Sequence, residues 1–178
     1  SRCENILLAM EYISNQDAIV ILLDADDAFA GPGVISHVKD VFADGIEVAV
    51  GGMLRLDKHQ SYPVDFQNPR ANRGGNVWQH LKCFRKRCME VVPIEMFKLD
   101  YQFIHDEDDW ALMLPIVEVS NHCHQFTRPM MIYTISENKS QRLHDSRERQ
   151  IERIVNKPYI LFMNDREERT LLTNLKLQ

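Results

Sequence analysis

No stretch of this sequence approaches the roughly 18 uninterrupted apolar residues that a helix needs to cross a bilayer, so no membrane span is expected. The opening Ser1-Arg2-Cys3-Glu4 has none of the apolar core of a secretory signal. Cysteine is scarce, with four residues at Cys3, Cys83, Cys88 and Cys123 and no Cys-x-x-Cys pair. That pattern excludes a dense disulfide framework and points to a reducing, cytoplasmic compartment. His122-Cys123-His124, taken with Cys83 and Cys88, matches no zinc-finger or ribbon spacing. The basic excess of a general nucleic-acid binder is also missing. Lys and Arg number 21 against 26 Asp and Glu, a formal charge of −5, so no nucleic-acid partner is expected.

What remains is the profile of a folded domain. A chain of 178 residues can bury a core without disulfides or metals. Its 44% hydrophobic content argues against disorder. One domain is expected over residues 1–178, with 145–178 as a C-terminal helical extension.

Periodicity places the elements. Ile6, Leu7, Met10 and Ile13 are helically spaced within residues 4–14. Ala18-Ile19-Val20-Ile21-Leu22-Leu23 is a continuous apolar run, which suits a strand at the centre of a parallel sheet, buried on both faces. It stops at Asp24-Ala25-Asp26-Asp27. A helix is expected over 34–42, after Gly31-Pro32-Gly33, and a second strand over 47–53, ending in Gly51-Gly52. Residues 55–79 read as a long loop, 81–97 as partly helical, and 108–120 as an acid-opened helix that Pro115 should kink or end. A short strand over 130–135 and helices over 146–156 and 167–175 complete an α/β layered domain.

The acidic turn carries the chemistry. Ligands of open α/β sheets bind beyond the carboxyl ends of strands. Here Asp24, Asp26 and Asp27 follow the most apolar strand. Crowded carboxylates repel unless a cation neutralises them. An oxygen-only set favours Mg²⁺ or Mn²⁺, completed by substrate phosphates. An EF-hand loop counted from Asp24 would need Gly where Phe29 stands and Glu where Ile35 stands, and is rejected. Two chemistries remain open. One is an Asp-nucleophile phosphohydrolase of the haloacid-dehalogenase type, although Ala28 replaces the Thr or Val usual there. The other is a nucleotide-sugar transferase.

The ordered motifs favour the second. The segments Asn5-Ile6-Leu7 and Asp17-Ala18-Ile19-Val20-Ile21-Leu22-Leu23-Asp24-Ala25-Asp26-Asp27 resemble the central part of family-2-type glycosyltransferases of the GT-A fold. Trp78-Gln79-His80-Leu81-Lys82-Cys83-Phe84-Arg85 is similar to the family's His-Leu-Arg-x-Phe-Arg segment. Asp108-Asp109-Trp110-Ala111-Leu112-Met113-Leu114-Pro115 resembles its acidic Glu-Asp motif, and Tyr133 through Ser140 the strand and polar loop that follow. The stretch from Gln150 to Tyr159 is similar to the tail of one bacterial and viral subgroup. The fold so implied is a GT-A-like (Rossmann-like) layered domain with a central, mostly parallel sheet. Set against the family, an N-terminal truncation is expected, without the two or three leading β/α units usual there. Such a truncation would expose apolar sheet surface, which a homodimer contact is expected to cover.

The resemblance also implies roles. The expected activity is metal-dependent, inverting transfer from a nucleotide-sugar donor to a saccharide or other hydroxyl acceptor; the alternative within the same resemblance is a non-catalytic truncated transferase acting as a binding module. Asp24 and Asp26 belong to the Mn²⁺ or Mg²⁺ and donor site, with Asp26 coordinating the metal directly and Asp24 nearer the ribose or a metal-bound water. Asp27 caps the next helix or joins the site. Asn5, His80 and Arg85 lie near the donor or acceptor. Asp109 is the general base and Asp108 its neighbour within Asp106-Glu107-Asp108-Asp109. Gly74-Gly75 would hinge a loop over the sugar. Lys82, Arg85, Lys86 and Arg87 read equally well as a solvated basic face.

Overall fold

The computed structural model describes residues 1–158 apart from 56–57, 61, 75–76, 106 and 135–143. The helix expected over 167–175 lies outside the described residues. Helix α1 (Arg2–Glu11) opens with a capping box: the Ser1 side chain accepts from the Glu4 amide, and the Glu4 side chain returns to the Ser1 backbone. Strand β1 (Ile19–Leu22), strand β2 (Ala28–Phe29), helix α2 (Val34–Ala43), strands β3 (Val48–Val50), β4 (Met53–Arg55) and β5 (Lys58–Gln60) follow. Next come strand β6 (Lys82–Arg85), helix α3 (Lys86–Glu90), strands β7 (Lys98–Leu99) and β8 (Gln102–Phe103), helix α4 (Asp108–Glu118), strands β9 (Cys123–Gln125) and β10 (Met131–Ile132), and helix α5 (His144–Val155).

The main sheet has the order β1-β6-β3-β9. Strands β1, β3 and β9 run one way and β6 runs against them, so only the β3–β9 pairing is parallel. The expected mostly parallel sheet thus holds for strand direction but not for pairing. A second sheet, β2-β10-β4-β5, lies apart from it, and β7 and β8 form a hairpin. Alternation along the main strands feeds two cores. Val48, Val50, Phe84 and Val20 pack with α4 residues such as Trp110 and Leu114 on one side. Ala49, Cys83 and Leu81 pack with Val34, Val38 and Phe42 of α2 and with Met130 and Met131 on the other.

Three expectations are corrected. Strand β1 sends Val20 and Leu22 into one core and Ile19 and Ile21 into the other, but it lies at the edge of its sheet, and of its residues only Val20 is fully buried. An apolar run reports packing on two faces and is silent about strand order. The centre belongs to β3 and β6. Residues 82–85, read as part of a helix, are that central strand. Their basic residues disguised it, because each finds a buried or polar partner. Pro115 neither ends nor breaks α4, which continues to Glu118. Every residue from Trp110 to Val117 is buried, and this packing outweighs the one backbone hydrogen bond that proline forfeits.

Helix α5 adds Ile151 and Ile154 to the first core. Buried Arg70 fastens its end. The guanidinium pairs with Glu118 of α4 and donates to the carbonyls of Val155 at 2.8 Å and Pro158 at 3.1 Å. The described part of the C-terminal region is therefore packed against the same core as the sheet.

The turn from β3 to β4 depends on Gly52, whose φ of +84° suits glycine. A Cβ there would meet the Arg128 carbonyl oxygen at 2.4 Å and the Met130 side chain at 2.6 Å. Gly52→Ala should cost about 3 kcal/mol in urea unfolding. Gly31→Ala, with nothing within 4 Å of its Cβ position, should stay within about 0.5 kcal/mol of wild type.

Candidate functional site

Backbone register assembles the site before any side chain is considered. In the antiparallel β1–β6 pair, Leu22 faces Lys82. The start of β6, with His80 just ahead of it, therefore lies beside the carboxyl end of β1, where Asp24 stands. The first turn of α4 carries Asp108 and Asp109, as a helix N-terminus favours. Helix α1 touches that turn, with Cys3 Sγ 3.8 Å from the Asp108 carbonyl oxygen, and brings Arg2 to the same place.

The side chains then interlock. Arg2 Nη2 donates to Asp24 Oδ1 at 2.6 Å, while its Nη1 reaches Asp109 Oδ1 at 3.3 Å and Asp108 Oδ2 at 3.5 Å. The fully buried Lys82 donates from Nζ to Asp109 Oδ1 at 2.6 Å and meets His80 Nε2 at 2.7 Å. His80 Nε2 also lies 3.8 Å from Asp24 Oδ2 and 4.0 Å from Asp109 Oδ2. The acidic turn and the acidic helix start, far apart in sequence, are thus tied into one cluster by Arg2 and Lys82.

Burial and charge set the ionisation. Burial pushes Asp109 upward, but Lys82, His80 and Arg2 outweigh it and hold the carboxylate below its usual range. Asp108 moves up, through burial and then through the neighbouring Asp109 charge. Burial pulls Lys82 down against the attraction of Asp109. His80 is lowered to about 4, by burial first and by Lys82 second, so its ring is neutral near pH 7.

The remaining candidates divide. Asp27 is no helix cap, since α2 is preceded by Gly33; instead its Oδ1 accepts from the Thr134 amide at 2.8 Å and ties the turn to the end of β10. Asp26 is exposed, and among the described residues no ion pair or hydrogen bond engages its side chain. Asn5 is exposed on α1 and is not drawn into the cluster. Arg85 is a correction. It occupies the opposite end of β6, paired with Ile19, and donates to the carbonyls of Asp17 at 2.9 Å and Phe42 at 2.7 Å. Its role is structural, and the antiparallel register explains why: Lys82 and Arg85 stand at opposite ends of one strand. Glu107, fully buried, pairs with Arg147 of α5 at 2.8 Å and anchors that helix. Asp106 and Gly75 lie outside the described residues. The Gly74 carbonyl accepts from Trp110 Nε1 at 3.2 Å, which pins the expected hinge to α4. Lys86 pairs with Glu90, and Arg87 with Asp17 and Glu47. Sequence reading offers no sign of Arg2 and leaves Lys82 open between the Trp78–Arg85 motif and a solvated basic face. The one signal was a Lys in an apolar strand context, between Leu81 and Cys83.

A metal is accommodated by charge and by donor type. Asp24, Asp27 and His80 each bring a ligand atom within 4.8 Å of the others. The His80 Nε2 lone pair already faces Lys82, which leaves the carboxylates as ligands. Among the described residues, Asp24, Asp108 and Asp109 outnumber Arg2 and Lys82 by one charge before Asp26 and Asp27 are considered. A surplus of negative oxygens suits a hard divalent cation such as Mg²⁺ or Mn²⁺.

His80 makes the cluster pH-sensitive. Lys82, Arg2, Asp24 and Asp109 face it. The unfolded chain takes up a proton near pH 6.5, and the folded protein refuses it until about 4. The contribution is therefore whole above pH 6.5 and is lost as pH falls through that window, about 3 kcal/mol in all. Urea unfolding of His80→Gln should lose less stability than wild type between pH 7 and pH 4, by about that amount. Equal losses would contradict the assignment.

No known protein-family profile matches this sequence, and no curated protein does. Solved structures do match. Structures of S. aureus TarS align with a TM-score of 0.54 at 14% identity, over 85% of this chain and 26% of that one. S. aureus TarS 1-349 in complex with UDP aligns with a TM-score of 0.51 at 14% identity, over 83% of this chain and 42% of that one. The chain thus spans well under half the length of either neighbour. At this identity the likeness is one of architecture: the mixed α/β layering of this chain is shared with those structures.

Proposed function

We propose that this chain carries the catalytic centre of a GT-A-type, family-2-like glycosyltransferase that moves a sugar, with inversion, from a nucleotide-sugar donor to a hydroxyl acceptor. The observation that carries this reading is the convergence of Asp24 and Asp109 on one cation-bridged cluster at the carboxyl end of β1. The structural neighbour holding UDP supports a nucleoside diphosphate as the donor's leaving group.

In this reading Asp109 is the general base. The acceptor oxygen bonds to the anomeric carbon while the bond from that carbon to the diphosphate oxygen breaks. The hydroxyl proton passes to Asp109, and the bonding pair leaves with the nucleoside diphosphate. A depressed carboxylate is ready to accept at neutral pH, because it is fully ionised. Asp108 shapes the field beside it. Arg2 lies where an anionic leaving group would gain from a fixed positive charge. A divalent cation, when bound, would neutralise charge developing on the diphosphate. Asp24 and Asp27, which stand within one group, would hold it, joined by the exposed Asp26 of the same turn. Among the described residues, no cation engages Asp26.

Two measurements test this. Wild-type protein with UDP should show a higher melting temperature when Mn²⁺ is present, since a ligand bound only by the native state raises apparent stability. Asp26→Asn should abolish the Mn²⁺-dependent part, and an unchanged shift would remove Asp26 from the site. In a turnover assay, Asp109→Asn should lose about 10²–10⁴-fold in kcat while still binding UDP. Near-normal turnover would pass the role of base to another acid.

A further inference from the structure

A buried ammonium is costly unless it is paired on every side that matters. Lys82 meets this condition through Asp109 Oδ1 at 2.6 Å and His80 Nε2 at 2.7 Å. Its backbone is fixed between Leu22 of β1 and Val50 of β3 in the middle of the sheet. An ammonium can only donate, so His80 must accept at Nε2. A neutral imidazole that accepts at one nitrogen carries its proton on the other. The proton is therefore on Nδ1, which is buried and has no hydrogen-bond partner among the described residues. Nothing at Nδ1 rewards that tautomer, so the preference comes from the Lys82 side.

The same ammonium also distinguishes the two oxygens of Asp109. Lys82 and Arg2 both engage Oδ1. No hydrogen bond engages Oδ2 among the described residues, and His80 Nε2 lies 4.0 Å from it.

We propose that Lys82 is a positioning residue: it grips Asp109 by Oδ1 so that Oδ2 is the oxygen presented to the acceptor's proton, and it holds His80 in the Nδ1–H tautomer with Nε2 withheld from a metal. The first half rests on the reading of Asp109 as base; the second does not. Lys82 touches neither donor nor acceptor and acts through the two side chains it holds.

The test uses the full chain labelled with ¹⁵N at histidine, with long-range ¹H–¹⁵N spectra at neutral pH and His80→Gln to assign the resonances. Wild type should show His80 as the Nδ1–H tautomer. Lys82→Met should lose it for the Nε2–H form or a mixture, and Lys82→Arg, which keeps a donor, should retain it. A proton on Nε2 in wild type would overturn the proposal, as would an unchanged tautomer in folded Lys82→Met. Should Lys82→Met fail to fold, the wild-type and Lys82→Arg spectra still decide. In turnover with a UDP-sugar, Lys82→Met should lower kcat by at least about tenfold with KM for the donor nearly unchanged, and Lys82→Arg should restore part of it. A loss confined to KM would overturn the positioning of Asp109. Failure of wild type to bind UDP would remove the nucleotide reading and leave the tautomer result standing on its own.

Discussion

The structure turns on one buried ion pair. Lys82 stands in the centre of the main sheet, and Asp109 stands at the first turn of α4, the most deeply buried helix. Their contact fixes the sheet and the helix at one point. Breaking such a pair leaves an uncompensated charge in a low-dielectric interior, which costs far more than the pair itself contributes. Sheet and helix are therefore held in one relative position by a requirement of charge, while the apolar contacts around Trp110, Phe84 and Val48 supply the bulk of the attraction.

The other charges follow from it. With Lys82 committed to Asp109 and His80, the remaining carboxylate at the strand end, Asp24, needs a different cation, and Arg2 from α1 supplies it. The acids still exceed the bases. Among the described residues, that imbalance sets the cluster apart from a structural ion-pair network. In the latter, as at Arg70 and Glu118 or at Arg147 and Glu107, each charge finds its complement within the protein. Among the described residues the strand end keeps a surplus of acid, which in the proposed reading a divalent cation and a phosphorylated ligand would offset.

Much of this was legible in the residues, but unevenly. The acidic turn after an apolar run marked the strand end, and the acid-opened pattern at Asp108 and Asp109 marked the helix start. Both are local signals, and each element formed where its pattern put it. Order within the sheet was not legible, because strand pairing is a matter of long-range register that an apolar run does not encode; hence β1 fell at the edge. Strand β6 was hidden because Lys82 and Arg85 read as solvated cations, although one is sealed in the core and the other donates to main-chain carbonyls. Arg2 was invisible for a similar reason, since a lone arginine at a helix start carries no sign of the carboxylates that tertiary structure will bring to it. Arg85 was misassigned because similarity of a motif does not say which of its residues share a strand end.

The central claim is that Lys82 and Asp109 form one energetic unit on which the cluster is built, and a double-mutant cycle measures it directly. Urea unfolding should show a loss of about 3–5 kcal/mol for Asp109→Asn, which strands the buried Lys82, and a smaller loss for Lys82→Met, because Arg2 still engages Asp109. The double variant should lose much less than their sum, a coupling well above 1 kcal/mol. Additive losses, or singles within a few tenths of a kcal/mol of wild type, would contradict the account.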